Sequence, residues 1–180
     1  FKASVKARDG MLRMATLSVP FVFHSFQMDT ILQDYNTLAG GVTCSAPKIP
    51  VASTLLGSVI DEPGVFNQDY LAQQTSQQVN FVGALRAVSN KLGDPVWLEL
   101  GPQPVCSSFV RSTLTPSPAK IVHSIDTKSS NWVSISEGLA SAYMNGLPVD
   151  RLGFHKPYAH SLNLVDLPLY TWDTKDYWVT

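Results

Sequence analysis

His24 stands in the run Val19-Pro20-Phe21-Val22-Phe23-His24-Ser25-Phe26-Gln27, between a β-favouring stretch and what reads as a helix start. Strand-to-helix junctions at a sheet edge are where α/β proteins place side chains that react. An imidazole there, oriented by its neighbours and titrating near neutrality, suits a general base. Packing is the competing reading for a histidine flanked by aromatic rings. The other histidines have poorer settings: His123 in an alternating strand reads as structural, and His155 and His160 read as surface groups. Their spacing from His24 supports no metal site. No Gly-x-Ser-x-Gly occurs in the 180 residues, so Ser25, Ser53, Ser58 and Ser107 lack the framing of an activated serine. Cys44 and Cys106 lie far apart without metal-type spacing, and burial in a reducing, cytoplasmic setting is expected for both.

The elements that would position these residues follow from periodicity. Met11 to Val19 reads as a strand leading into His24. Ser25 can cap the next helix, whose stripe runs through Met28, Ile31, Leu32, Tyr35 and Leu38 to a stop at Gly40-Gly41. Two short strands, Ile49 to Ser53 and Gly57 to Ile60, precede a helix capped by Asn67 or Asp69 that ends near Gln74. Gln73, Gln74, Thr75, Ser76, Gln77 and Gln78 cannot all be buried and satisfied, which places them at a surface or cleft. A further helix from Phe81 closes at Gly93. Val96 to Leu100 reads as a buried parallel strand in which only Glu99 needs a partner, and Gly101-Pro102-Gln103-Pro104 turns it into a helix from Val105 to Arg111. A strand over Ile121 to Ile125 and a helical stripe from Trp132 to Tyr143 follow, ended by Gly146. From Leu147 the hydrophobic residues lose periodicity and read as an extended arm that packs on something else.

Composition narrows the classes. A net charge of −1 and 15% charged residues offer no basic footprint for nucleic acid. No run is apolar enough to span a membrane. The aromatic arm from Tyr170 to Trp178 lacks interleaved basic residues, so it is a poor base-stacking platform. The first residues resemble the middle of a longer polypeptide, and a piece of one is expected.

Several stretches, in order, resemble the malonyl-CoA:acyl carrier protein acyltransferase domain of type I polyketide synthases. They are the run ending in Phe23-His24-Ser25, then Tyr70-Leu71-Ala72-Gln73-Gln74 with Val79-Asn80-Phe81, then Leu98-Glu99-Leu100-Gly101-Pro102-Gln103-Pro104-Val105. Leu167-Pro168-Leu169-Tyr170-Thr171-Trp172 with Tyr177-Trp178 resembles the linker after that domain. The wording of Ile49 to Gly57 and of Gly101 to Ser107 is most similar to the iterative, non-reducing fungal synthases.

The resemblance implies an α/β fold: part of a hydrolase-like parallel sheet flanked by helices, plus the last strand (Met11–Val19) of a mostly missing ferredoxin-like subdomain. Residues 1–146 would be the C-terminal portion of the domain and 147–180 the linker arm. It implies serine-based transfer of malonyl from malonyl-CoA to the phosphopantetheine thiol of an acyl carrier protein, with ketosynthase and product-template neighbours and no bound cofactor. His24 would be the general base and Gln74 the residue whose main-chain carbonyl orients it. Phe23 would fill the room an α-methyl group needs, favouring malonyl over methylmalonyl. Two features depart from the pattern. Gln103 stands where many relatives have histidine, and Phe21-Val22 replace His-Ala. The nucleophile is not among these residues, and Arg8, Arg13, Arg86, Arg111 and Arg151 do not fit the substrate-carboxylate arginine. The segment is therefore expected to be inactive and poorly stable alone. A scaffold that docks synthase domains, a serine hydrolase and a starter-unit acyltransferase are the competing readings.

Overall fold

The computed structural model describes residues 20–118, 120–163, 165–175 and 178. The strand expected over Met11–Val19, and with it the subdomain strand, lies outside the described residues, as does Tyr177 of the arm. His24 is followed by a 3-10 helix, Phe26–Ile31, which continues as α1, Leu32–Ala39. Ser25 starts this unit: its hydroxyl accepts from the Gln27 amide at 3.3 Å and donates to the Val22 carbonyl at 2.7 Å. Gly40 caps α1, so both expected boundaries hold.

Strands β1 (Val51–Ser53) and β2 (Ser58–Ile60) pair antiparallel as a tight hairpin. Its turn needs Gly57, which has φ of 65°. A Cβ there would also collide with the Asn80 side-chain amide, so glycine is the residue that suits both demands. The hairpin packs on α3 (Phe81–Leu92), while α2 (Gln68–Ser76) packs on α1 and on the 3-10 helix. Asn67 caps α2 through the Tyr70 amide at 2.9 Å, and Asn80 caps α3 through the Gly83 amide at 2.9 Å.

The second half holds a parallel pair, β3 (Trp97–Glu99) beside β4 (Ile121–His123), with Leu98 opposite Val122. Helices α3 and α4 (Cys106–Thr113) supply Leu85 and Val110, which pack with Leu114 just past the end of α4 and with Phe81, Trp97 and Ile121 into one core cluster. Helix α5 (Asn131–Met144) lies against β4 so closely that a Cβ on Gly138 would meet the His123 carbonyl oxygen at 2.7 Å. The connection between β3 and β4 runs through α4, the crossover that parallel strands require.

Three expectations need correction. Val96 to Leu100 is not a buried strand: Leu98 is 52% exposed and Leu100 77%, because a two-stranded sheet covers β3 along only one edge and α3 and α4 cover the Trp97 face. Cys44 and Cys106 are both exposed rather than buried. Cys44 falls in the loop after α1, and the core-facing positions of α4 are Ser107 and Val110, not Cys106. The stretch after Leu147 is not extended throughout. It forms α6 (Arg151–His155), capped by Asp150 through the Gly153 amide at 2.8 Å, and a 3-10 helix, Lys156–Ser161. Both return to α5, where Trp132 meets the rings of Phe154 and Tyr158 at centroid distances of 6.3 and 5.1 Å. From Leu162 on, the described residues have no regular structure, and Leu167, Leu169, Tyr170, Trp172 and Trp178 are exposed.

Candidate active site

His24 is exposed, and its backbone has φ of 58°, the only positive value outside glycine among the described residues. For an L-residue that conformation costs about 1–2 kcal/mol relative to the right-handed region. Neighbouring contacts hold it. The His24 amide donates to the carbonyl of Thr75 at 2.9 Å, and the Ser25 hydroxyl fixes the chain just before and just after it. Strain of this kind concentrates where a side chain must be presented in one direction.

The partner segment is the last turn of α2. A helix that stops at Ser76 leaves its final carbonyls without the amide four residues on. Gln77 bonds back to the carbonyl of Gln73 at 2.7 Å, and His24 takes that of Thr75. Among the described residues the Gln74 carbonyl receives no backbone donor. The main chain therefore carries a spare acceptor one residue from the point where His24 is tethered. Gln74 itself is half-buried: its Nε2 donates to Thr54 Oγ1 at 3.4 Å, and its Oε1 is buried without a partner. Phe23, beside the histidine, is exposed at 59%, so the ring is presented outward and not packed into the core. The glutamine-rich run divides as its polarity requires: Gln73, Gln77 and Gln78 face solvent, while Ser76 is buried with its hydroxyl donating to the Ala72 carbonyl at 3.4 Å.

The serines are occupied otherwise. Ser53, 1% exposed, shares a hydrogen bond with the Tyr70 hydroxyl at 2.9 Å and accepts from the Leu56 amide at 3.0 Å. Ser107 donates to Glu99 Oε2 at 2.6 Å. Glu99 has found the partner its place in the strand demanded: Oε1 accepts from the amides of Val105 and Cys106, and Oε2 from the amide of Ser107. Burial pushes this carboxyl up. The Ser107 hydroxyl and the three amides outweigh burial and hold it below its ordinary value. Partial desolvation first, and then the charge of Glu99, push the thiol of exposed Cys106 up, which makes it a poor nucleophile at neutral pH. His123 lies in β4, and His155 and His160 are exposed on α6 and the 3-10 helix after it. Among the described residues no group of three acidic, histidine or cysteine side chains could hold a metal ion, and no helix is long and apolar enough to cross a membrane.

The residue that pattern reading passed over is Thr54. Nothing in its type or spacing marks it, since its contact with Gln74 spans 20 residues.

No family model matches the chain. It is 61% identical over all 180 of its residues to a non-reducing polyketide synthase, curS2, of Aspergillus terreus, of which those residues make up 9%. The chain thus spans about a tenth of the length of the curated relatives it matches. Its structure superposes on the acyltransferase domain from the second module of the salinomycin polyketide synthase with a TM-score of 0.72 at 24% identity, covering 92% of this chain and 39% of that one. A malonyl CoA-acyl carrier protein transacylase from Clostridium perfringens gives 0.59 at 17% identity, covering 73% and 39%. The fold is that of part of such an α/β domain.

Proposed function

We propose that this chain, homologous over its whole length to a segment of the fungal non-reducing polyketide synthases and folded like part of an acyltransferase domain, supplies the general base for loading malonyl units onto an acyl carrier protein. The observation that carries the proposal is the tether between His24 and the end of α2, with the unclaimed Gln74 carbonyl next to it. An imidazole whose second nitrogen donates to that carbonyl is held in one tautomer, leaving the first nitrogen to take a proton from a serine. A neutral carbonyl fixes the ring as an aspartate would, with less stabilisation of the imidazolium. The serine comes from outside these residues, as does the arginine for the malonyl carboxylate. His24 takes the hydroxyl proton as the serine attacks the thioester carbonyl. It returns a proton to the departing coenzyme A thiolate, and the cycle reverses on the phosphopantetheine thiol of the carrier. In this reading residues 1–146 belong to the acyltransferase and 147–180 to the arm that follows it. Ketosynthase and product-template domains of the same polypeptide are the neighbours.

The division of labour is testable directly. Incubated with radiolabelled malonyl-CoA, the 180-residue chain is expected to take up no covalent label, whereas the full synthase becomes labelled through its transferase serine and carrier thiol. Label on the isolated chain would place the nucleophile within it and end the proposal.

Phe23 sets the extender preference in the same reading. Its exposed ring precedes the base and occupies the room an α-methyl would enter. Shape discrimination on one methyl is worth about 1–3 kcal/mol, so Phe23→Ser should raise methylmalonyl loading relative to malonyl by about 10–200-fold. Competition between the two thioesters for the full synthase measures this. An unchanged ratio would return Phe23 to a packing role.

A further inference from the structure

We infer that Thr54 is a positioning residue for acyl transfer: its hydroxyl holds Gln74 so that the adjoining main chain keeps His24 aimed. The inference rests on the reading of His24 as general base. Three contacts tie the β1–β2 turn to α2 and α3. Ser53 Oγ meets the Tyr70 hydroxyl at 2.9 Å, near the start of α2. Thr54 Oγ1 accepts from Gln74 Nε2 at 3.4 Å, in its last turn. The Thr54 carbonyl accepts from the Asn80 amide at 2.6 Å, at the cap of α3.

The hairpin therefore braces both ends of the segment whose Thr75 carbonyl receives the His24 amide. Among these contacts, the one from the Thr54 hydroxyl is made to the residue whose free carbonyl lies beside that tether. It also holds a side chain that is otherwise short of partners, since Gln74 Oε1 is buried and unpaired. A buried amide oxygen left unpaired carries a desolvation cost, so the one hydrogen bond the amide does make weighs more in holding it. Without the Thr54 hydroxyl the Gln74 amide loses its one described side-chain partner, and the last turn of α2 loses a contact that braces it against the hairpin.

The full-length synthase carrying Thr54→Val keeps the shape of the side chain and loses the acceptor; Thr54→Ser keeps the acceptor. Thr54→Val should lower kcat for malonyl loading about tenfold, a fraction of what a general base contributes, with the KM for malonyl-CoA unchanged. Thr54→Ser should restore kcat to within about twofold of the parent. Parental kcat in Thr54→Val would overturn the inference. So would an equal loss in both variants, or a loss seen only in KM or in thermal stability. His24→Asn measured alongside separates the two readings: if that variant loads normally, the base assignment has failed and Thr54 falls with it. If it is inactive while Thr54→Val is normal, only the Thr54 assignment is lost.

Discussion

Replacing His24 by asparagine in the full-length synthase should slow malonyl loading by about 10²–10⁴-fold, the usual contribution of a positioned general base. Asparagine is the informative choice because of the backbone. At φ of 58° an alanine would add strain of its own, whereas asparagine tolerates the left-handed region about as well as histidine does. It can accept no proton from a serine. The exposed ring makes few packing contacts to lose, so the temperature of inactivation should stay within a few degrees of the parent's. A fall in kcat with folding intact isolates the proton transfer. Normal loading by the asparagine variant would show that the serine is activated by some other group, and the site described here would lose its centre.

Much of what surrounds that histidine was legible from residue types. Ser25 and Asn67 announced helix starts, and Gly40 and Gly93 announced stops: the two polar residues cap through side-chain oxygens and Gly93 turns at φ of 74°, whereas Gly40 ends α1 with right-handed backbone that needs no glycine. Glu99 stood out as a charge inside an apolar strand, and its four donors answer that demand. Local rules could not reach what depends on tertiary partners. The exposure of Leu98 follows from how few strands flank β3, a fact about neighbours and not about the run itself. Helix α6 is five residues long, too short for a stripe to emerge, and depends on the Asp150 cap and on Trp132 of another helix. The tether from His24 to Thr75 joins residues 51 apart, and the resemblance pointed to the neighbouring Gln74 through family pattern alone.

Glu99→Ala should produce the largest loss of stability, about 3 kcal/mol, because it removes one acceptor pair from four donors at once. Three of those donors are the amides of residues 105–107 at the start of α4, where an anion also opposes the positive end of the helix dipole. The carboxylate thus fixes the turn Gly101-Pro102-Gln103-Pro104 that carries the chain from β3 into α4. Ser107→Ala removes one donor of the four and should cost only about 1 kcal/mol. For a unit of this size the glutamate change corresponds to a fall of roughly 5–10 °C in the inactivation temperature of malonyl loading by the full synthase. The sign of the pH dependence follows from the lowered carboxyl. Its stabilisation is complete above the ordinary glutamate range and is lost as pH falls through the lower folded value. Glu99→Gln keeps the shape but has no such titration, so its deficit against the parent should be full at neutral pH and shrink on acidification. Equal stability of Glu99→Gln and the parent at neutral pH would mean that the charge contributes nothing, and that the turn is held by the shape of the side chain alone.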